Sequence, residues 1–346
     1  LGAAGALMGQ NAFVYVADGH LVRGAAETPY YYKGVNLVYA PLLWSDSLRL
    51  QTELDTLQAL GVSNVRVPYD EAFDRLPADS LYLGYDRLLR ELAQRKMTAV
   101  LGLADSRTAR RLVERTNRLT GSAYADDPTI MAWQLQLEYT QNTAAQKDRV
   151  HKWAQEVKAK APRQLLSLAG WGSPVSKVDG TFDDRLIEAL HNVGGVDYIA
   201  LQVSPLEWGW TSVGNLYDAL PRVYIRSEAL LAQCARIAGR MYKPLVVDAV
   251  GYPRERDFRE PTTPTDSRDA VLNFFFSQLA ESREGQGALA GCNVYTWGGQ
   301  EQPAEAPTPQ RHMLTGEGSR LPQGQYAVYA TDASTLRLIR KAQPMK

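Results

Sequence analysis

Cysteine and histidine are scarce in this 346-residue chain: Cys234 and Cys292 are its 2 cysteines, and His20, His151, His191 and His312 its 4 histidines. Two cysteines make neither a disulfide framework nor a thiolate cluster, and the histidines lack the paired spacing of a zinc site, so no metal or other cofactor is expected. A charge of one sign is missing too. The 38 basic residues meet 38 acidic ones, so no whole-molecule field draws nucleic acid or an anionic membrane, and a neutral ligand suits the balance better. The densest basic run, Arg107, Arg110, Arg111, Arg115 and Arg118, falls at helical spacings around Glu114 and reads as a solvated helix face. Apolar runs of about eighteen residues are absent, which excludes a conventional membrane-spanning helix.

What is present is the make-up of a globular chain able to bury a large core, with 45% hydrophobic, 9% aromatic and 22% charged residues. The small and apolar residues 1–12 are open to two readings, a flexible end or the remnant of a secretory signal. Beyond them, apolar strand patterns fall at Tyr31–Leu37, Asn64–Val67, Ala99–Leu103, Ile130–Leu135, Leu165–Leu168, Tyr198–Val203, Pro244–Val250 and Cys292–Tyr295. Helical periodicity separates them at Leu48–Leu60, Tyr85–Arg95, Arg107–Leu119, Ala144–Lys160, Phe182–His191, Tyr217–Met241 and Ser267–Ser282. This alternation predicts a single (β/α)8 TIM barrel over residues 13–346. Residues 298–325 read as an irregular loop over the barrel mouth, and Gln325–Tyr329 with Ser334–Ile339 as a final helix or extended strap.

Barrels of this kind place chemistry at the carboxyl ends of the strands. That rule singles out Arg66, Asp105, Glu138, Trp171, Gln202, Asp248, Ala249 and Trp297.

The run from Asp126 through Asp127-Pro128-Thr129 to Gln136-Leu137-Glu138 closely resembles the strand-four motif of endo-β-mannanases in glycoside hydrolase family five. Further stretches resemble the same family in the same order: Tyr30–Asn36, Leu60–Arg66, Arg115–Tyr124, Pro205–Trp210, Lys243–Arg254 and Ala290–Gly299. The resemblance runs over nearly the whole chain. It implies a retaining hydrolase centre in which glutamates near the ends of strands four and seven act as acid/base and nucleophile. Breaking a glycosidic bond through an oxocarbenium-like transition state needs such carboxyls about 5–5.5 Å apart, one to protonate the leaving oxygen and one to attack the anomeric carbon.

Carried over residue by residue, the family's Asn-Glu-Pro is Leu137-Glu138-Tyr139, which keeps the acid/base position as Glu138 and loses the asparagine. The strand-seven Glu-Glu-Phe-Gly is Asp248-Ala249-Val250-Gly251, so the nucleophile position is Ala249, and a methyl group forms no glycosyl-enzyme bond. Strand alternation is expected to turn Asp248 away from the pocket unless a bulge re-aims it. After strand six the family's histidine and aromatic become Gln202 and Ser204, and the first strand-eight tryptophan becomes Tyr295. Asn36, Arg66, Gln202, Trp208, Trp210, Tyr295 and Trp297 remain as polar donors and ring faces suited to a pyranose.

Three functions compete on this reading. The first is a catalytically impaired pseudoenzyme that binds a β-linked polysaccharide or oligosaccharide such as mannan. The second is an active glycoside hydrolase with altered mechanism or substrate, with Glu138 as acid/base and Asp105, Glu207 or Glu255 as replacement base. The third is a protein-interaction scaffold whose pocket has collapsed around Leu137, Val38 and Val250. Family habit and the N-terminal composition carry an expectation of an extracytoplasmic location: periplasmic, cell-surface or secreted.

Overall fold

Eight parallel strands follow one another around a nearly closed barrel: β4 (Tyr32–Asn36), β5 (Asn64–Val67), β6 (Thr98–Leu103), β7 (Ile130–Leu135), β8 (Leu165–Leu168), β9 (Ile199–Val203), β10 (Leu245–Val250) and β11 (Leu289–Val294). The (β/α)8 architecture is therefore present. The computed structural model describes residues 13–104, 106–136, 144–169, 184–256, 259–260, 262–303 and 309–342. The expectations placed on residues 1–12, Asp105, Leu137, Glu138 and Trp171 lie outside them. No described helix is long and apolar enough to cross a membrane.

The pleat sorts each strand into two faces. Outward residues such as Val65, Leu101, Trp133, Leu166, Leu201 and Val247 join the large core beneath the helices, while Val100, Ala132, Leu165, Ala200 and Val246 fill a separate interior cluster. Three short strands precede the barrel: β1 (Val14–Ala17), β2 (His20–Arg23) and β3 (Thr28–Pro29). Their Val14 and Leu21 belong to that interior cluster together with Tyr32, so this antiparallel unit plugs the barrel floor. The β8–β9 seam is closed by Asp197, whose carboxylate accepts from the Leu166 amide at 2.7 Å while its own N–H donates to the Leu166 carbonyl at 2.7 Å.

Strand bounds fall within a residue of expectation except at β11, which begins at Leu289, three residues before Cys292. Gly291 hides the start because it reads as a turn, yet only glycine fits: a Cβ there would lie 2.4 Å from the Tyr32 ring. Three helices also depart from expectation. The helix expected at Tyr85 begins at Ala78, the one expected to reach Leu119 ends at Val113, and the one expected from Tyr217 begins at Leu220. Buried Asp86 explains the second. It accepts from Arg115, from the Tyr124 hydroxyl at 2.7 Å and from the Arg118 amide at 3.3 Å, pulling the chain out of the helix. Arg115 is thus a buried-carboxylate partner, a correction to the solvated face read from its spacing.

The C-terminal expectation resolves into β13 (Ala327–Tyr329), which pairs in parallel with β12 (Thr296–Gly299), and a helix over Ala333–Lys341. Lys33 holds that helix down: its buried Nζ donates to the Ile339 carbonyl at 2.7 Å and the Ala342 carbonyl at 2.8 Å.

Candidate active site

β10 is irregular against both of its neighbours, β9 and β11. Against β9, Val247 pairs with Leu201 and Ala249 with Gln202, so Asp248 is the extra residue. Val246 faces the barrel interior, Val247 the helices, and after the bulge Val250 faces the helices again. Asp248, two residues on from Val246, therefore points inward by alternation. Its Oδ2 accepts from Gln134 Nε2 at 2.9 Å and lies 3.5 Å from Arg66 Nη2, while Arg66 Nε donates to Gln134 Oε1 at 2.6 Å. The expectation that alternation turns Asp248 outward is corrected: alternation from Val246 already aims it inward, and the irregularity acts beyond it, where Val250 faces the helices.

Inward does not mean available. Asp248 is 3% exposed, and it does not line the cavity at the barrel mouth, whereas Arg66 does. The carboxylate therefore lies beside the cavity, not in its wall, held by a guanidinium and an amide. Ala249 packs with Tyr295 and Tyr326, whose ring centroids stand 4.6 Å apart. Burial, and next the Glu207 carboxylate, hold the Tyr295 phenol well above its usual range, so it stays neutral and is a donor, not a phenolate.

The cavity has a volume of about 60 Å³, room for a few waters at roughly 10–15 Å³ each on the same measure. Asn36, Arg66, Gln202 and Tyr295 line it together, and Gln202 Nε2 donates to the Tyr295 hydroxyl at 3.2 Å. Gln136 adds a buried Oε1 without a protein partner. The three tryptophans are elsewhere. Trp210 and Trp297 are fully buried and Trp208 is 6% exposed; none lines the cavity. Trp297 Nε1 donates to Glu53 at 2.7 Å on the helix side, and Trp208 stands edge-on to Trp210 at 4.9 Å within the main core. Their expected role as exposed ring faces is corrected to packing, because the indoles fill space between strands and helices. Val38 lines the cavity, but Val250 packs outward.

Of the replacement bases, exposed Glu207 accepts from Tyr326 at 3.4 Å, and Glu255 accepts the Ser267 amide and hydroxyl at the start of a helix. Neither lines the cavity.

Sequence reading set residues 298–325 over the mouth but named none of them as cavity wall. Gly316, Gly318, Arg320 and Leu321 enter from the segment after β12. Glu317 shapes that segment: wholly buried, it accepts from the amides of Gly324 at 3.0 Å, Tyr326 at 2.8 Å and Ala327 at 2.7 Å. Burial outweighs these donors and pushes its carboxyl up to about 7. Asp70 accepts from the Ser319 amide at 2.7 Å, so close that a Cβ on Gly318 would lie 2.5 Å from its Oδ2. An acidic residue three positions past β5 was the available signal, but its partner lies far away in sequence.

Residues 11–109 and 105–345 match the family described as GH family 5 beta-mannosidase-like. The chain belongs to this family. The fold comparison agrees: a glycoside hydrolase family 5 mannosidase from Rhizomucor miehei superimposes with a TM-score of 0.84 at 20% identity, covering 96% of this chain and 97% of that one. The endo-1,4-beta-mannanase of the same organism gives 0.64 at 14% identity over 95% and 99%. In sequence, the chain is similar to mannan endo-1,4-beta-mannosidase 7 of Arabidopsis thaliana, 28% identical over 193 residues, 52% of this chain and 42% of that protein. Mannan endo-1,4-beta-mannosidase 3 of Oryza sativa subsp. japonica is 29% identical over 153 residues, 40% of this chain and 32% of its own length. The matches thus span less than half the length of these curated relatives.

As a family 5 mannosidase-like chain, it keeps the barrel, and at the tip of β10 Ala249 packs against the neutral phenols of Tyr295 and Tyr326.

Proposed function

We propose that this protein is a mannoside-binding, catalytically impaired member of its family. The observation that supports this reading is the packing at β10: Ala249, the residue the family motif aligns with the nucleophile, clusters with Tyr295 and Tyr326, while the neighbouring carboxylate of Asp248 is committed to Arg66 and Gln134. Two-step retention needs an attacking carboxylate at the anomeric carbon, and a methyl supplies none. Binding asks less. Asn36, Arg66, Gln136 and Gln202 converge on one cavity and offer directed hydrogen bonds to hydroxyls, and Tyr69 and Tyr295 border it with aromatic carbon. The relatives named for mannan, together with the neutral charge balance, select a neutral β-mannoside as the ligand.

The test follows reducing ends and calorimetric heat in one series of linear and branched mannans, glucans and their oligosaccharides. Heat without new reducing ends is the expected result. Turnover abolished by Glu138→Gln would overturn the impaired reading and favour the second one, an active hydrolase with displaced chemistry. The inward turn of Asp248 is the observation on that side, since its Oδ1 has no hydrogen-bond partner. Silence in both channels would instead support the third reading, a scaffold with a closed pocket, to which the 60 Å³ cavity and the buried tryptophans lend weight. An extracytoplasmic location remains part of the proposal, on family habit.

A further inference from the structure

We propose that Asp248 fixes the charge of the ligand: by neutralising Arg66 from behind the cavity wall, it reserves the site for neutral sugars and turns away their uronate counterparts. The inference rests on the binding reading above and deepens it by naming what that site excludes.

Arg66 is 3% exposed and borders the cavity, where a charge brought by a ligand is poorly screened. Its Nε donates to Gln134 Oε1 at 2.6 Å. Its Nη2 is placed differently. That nitrogen lies 3.5 Å from Asp248 Oδ2, within ion-pair reach, yet it makes no hydrogen bond to protein. Gln134 Nε2 donates to the same Oδ2 at 2.9 Å and is itself fixed by the Ser167 hydroxyl at 3.2 Å, so the carboxylate is shared and Arg66 forms no bidentate pair with it. The contact crosses the barrel interior, from β5 to β10.

Charge and hydrogen bonding are thereby separated. Asp248 cancels the positive charge of the guanidinium and leaves the Nη2 donors unused. A guanidinium with an open charge takes carboxylates through charge-assisted bonds. One whose charge is already met gains little from an anion, while its N–H groups still serve a hydroxyl. The rest of the wall agrees. Asn36, Gln136 and Gln202 bring no charge, and burial keeps Tyr295 neutral. The wall's other cation, Arg320, meets Glu71 at 3.5 Å, and both of these line the cavity. Among the described residues, Arg66 is thus the wall cation whose neutralisation comes from a carboxylate outside the wall.

The experiment is calorimetric titration of the full chain at neutral pH with β-1,4-mannooligosaccharides and with β-1,4-oligomannuronates of the same length, which differ by a carboxylate in place of the hydroxymethyl group on each ring. The parent is expected to bind the neutral series and to bind the uronates about tenfold more weakly or worse. Asp248→Asn keeps an acceptor for Gln134 and removes the charge, so it should narrow that gap about tenfold, the difference between a neutral hydrogen bond and a charge-assisted one. Asp248→Glu returns the charge and should bring the gap back. A parent that takes both series alike, or a folded Asp248→Asn variant that keeps the parent's full preference, would overturn the proposal and leave the binding reading standing. A uronate gain that persists in Asp248→Glu would also overturn it, because shape and not charge would then set the preference. No heat from the parent with either series would remove the binding reading and this inference together. Asp248→Ser makes the same test should the asparagine variant fail to fold by circular dichroism.

Discussion

The floor and the mouth of this barrel are built by the same strands, two residues apart, and they obey opposite rules. At the floor the inward residues are Tyr32, Val100, Ala132, Leu165, Ala200 and Val246. One pleat higher stand Gly34, Gly102, Gln134, Ser167, Gln202 and Asp248. Apolar groups in the lower layer gain from burial whatever their exact partners. Polar groups in the upper layer are tolerated only where each finds a partner, which makes that layer specific and fragile together. The lower layer is a plug, and the upper one is a floor for something else.

Breaking one partner in each layer exposes the difference. Arg66→Ala strands Asp248 and Gln134 without their cation, and is expected to cost about 3–5 kcal/mol in urea unfolding. Val246→Ala in the floor should cost roughly 1–3 kcal/mol, a cavity effect alone. The double variant Arg66→Met with Asp248→Leu removes both charges and should recover most of the loss. If Arg66→Ala costs under about 1 kcal/mol, water reaches the triad and the claim of a sequestered Asp248 fails.

The mouth also answers to pH in a way the floor does not. Buried Glu317 has its carboxyl raised to about 7 from an ordinary 4.5, so the folded chain keeps a proton that the unfolded chain has released. Its contribution is full below about 4.5 and fades as pH climbs through about 7. Relative to Glu317→Gln, the parent should therefore lose stability across that window, on the order of 3 kcal/mol in all. Thermal melts of both proteins from pH 4 to 8 check this, and parallel curves would count against a buried, proton-holding Glu317.

Smaller still is the expected effect of Trp297→Phe. It deletes the indole N–H that meets Glu53 and should cost about 1–2 kcal/mol, while titration with mannooligosaccharides stays unchanged. A lost or weakened sugar signal in a folded variant would restore the tryptophan to the ligand side.

These contrasts mark what local pattern reveals. Period-two and helical spacing located all eight barrel strands, because burial on one face is written into neighbouring residues. The family motifs placed Asn36, Arg66, Gln202 and Tyr295 together, and they do share a cavity. What stayed hidden depends on partners distant in the chain. The register shift of β10 against β9 between Val247 and Ala249 is invisible within β10 itself. Trp210 and Trp297 look alike in sequence whether they face sugar or core. Glu317 and Asp70 act on backbone amides, so no complementary residue type announces them.

The least expected change is at Arg320, and its smallness is informative. Arg320 and Glu71 meet at 3.5 Å with side chains 46% and 52% exposed, a setting in which ion pairs contribute about 0–1 kcal/mol and are screened by salt. The adjoining Asp70 to Ser319 bond is 2.7 Å long and its carboxylate is buried, so the backbone contact, not the charge pair, should hold residues 316–321 at β5. Arg320→Ala is then expected to shift urea unfolding by less than about 0.5 kcal/mol. A salt-dependent loss above about 1 kcal/mol would mean that this hold is electrostatic and varies with ionic strength.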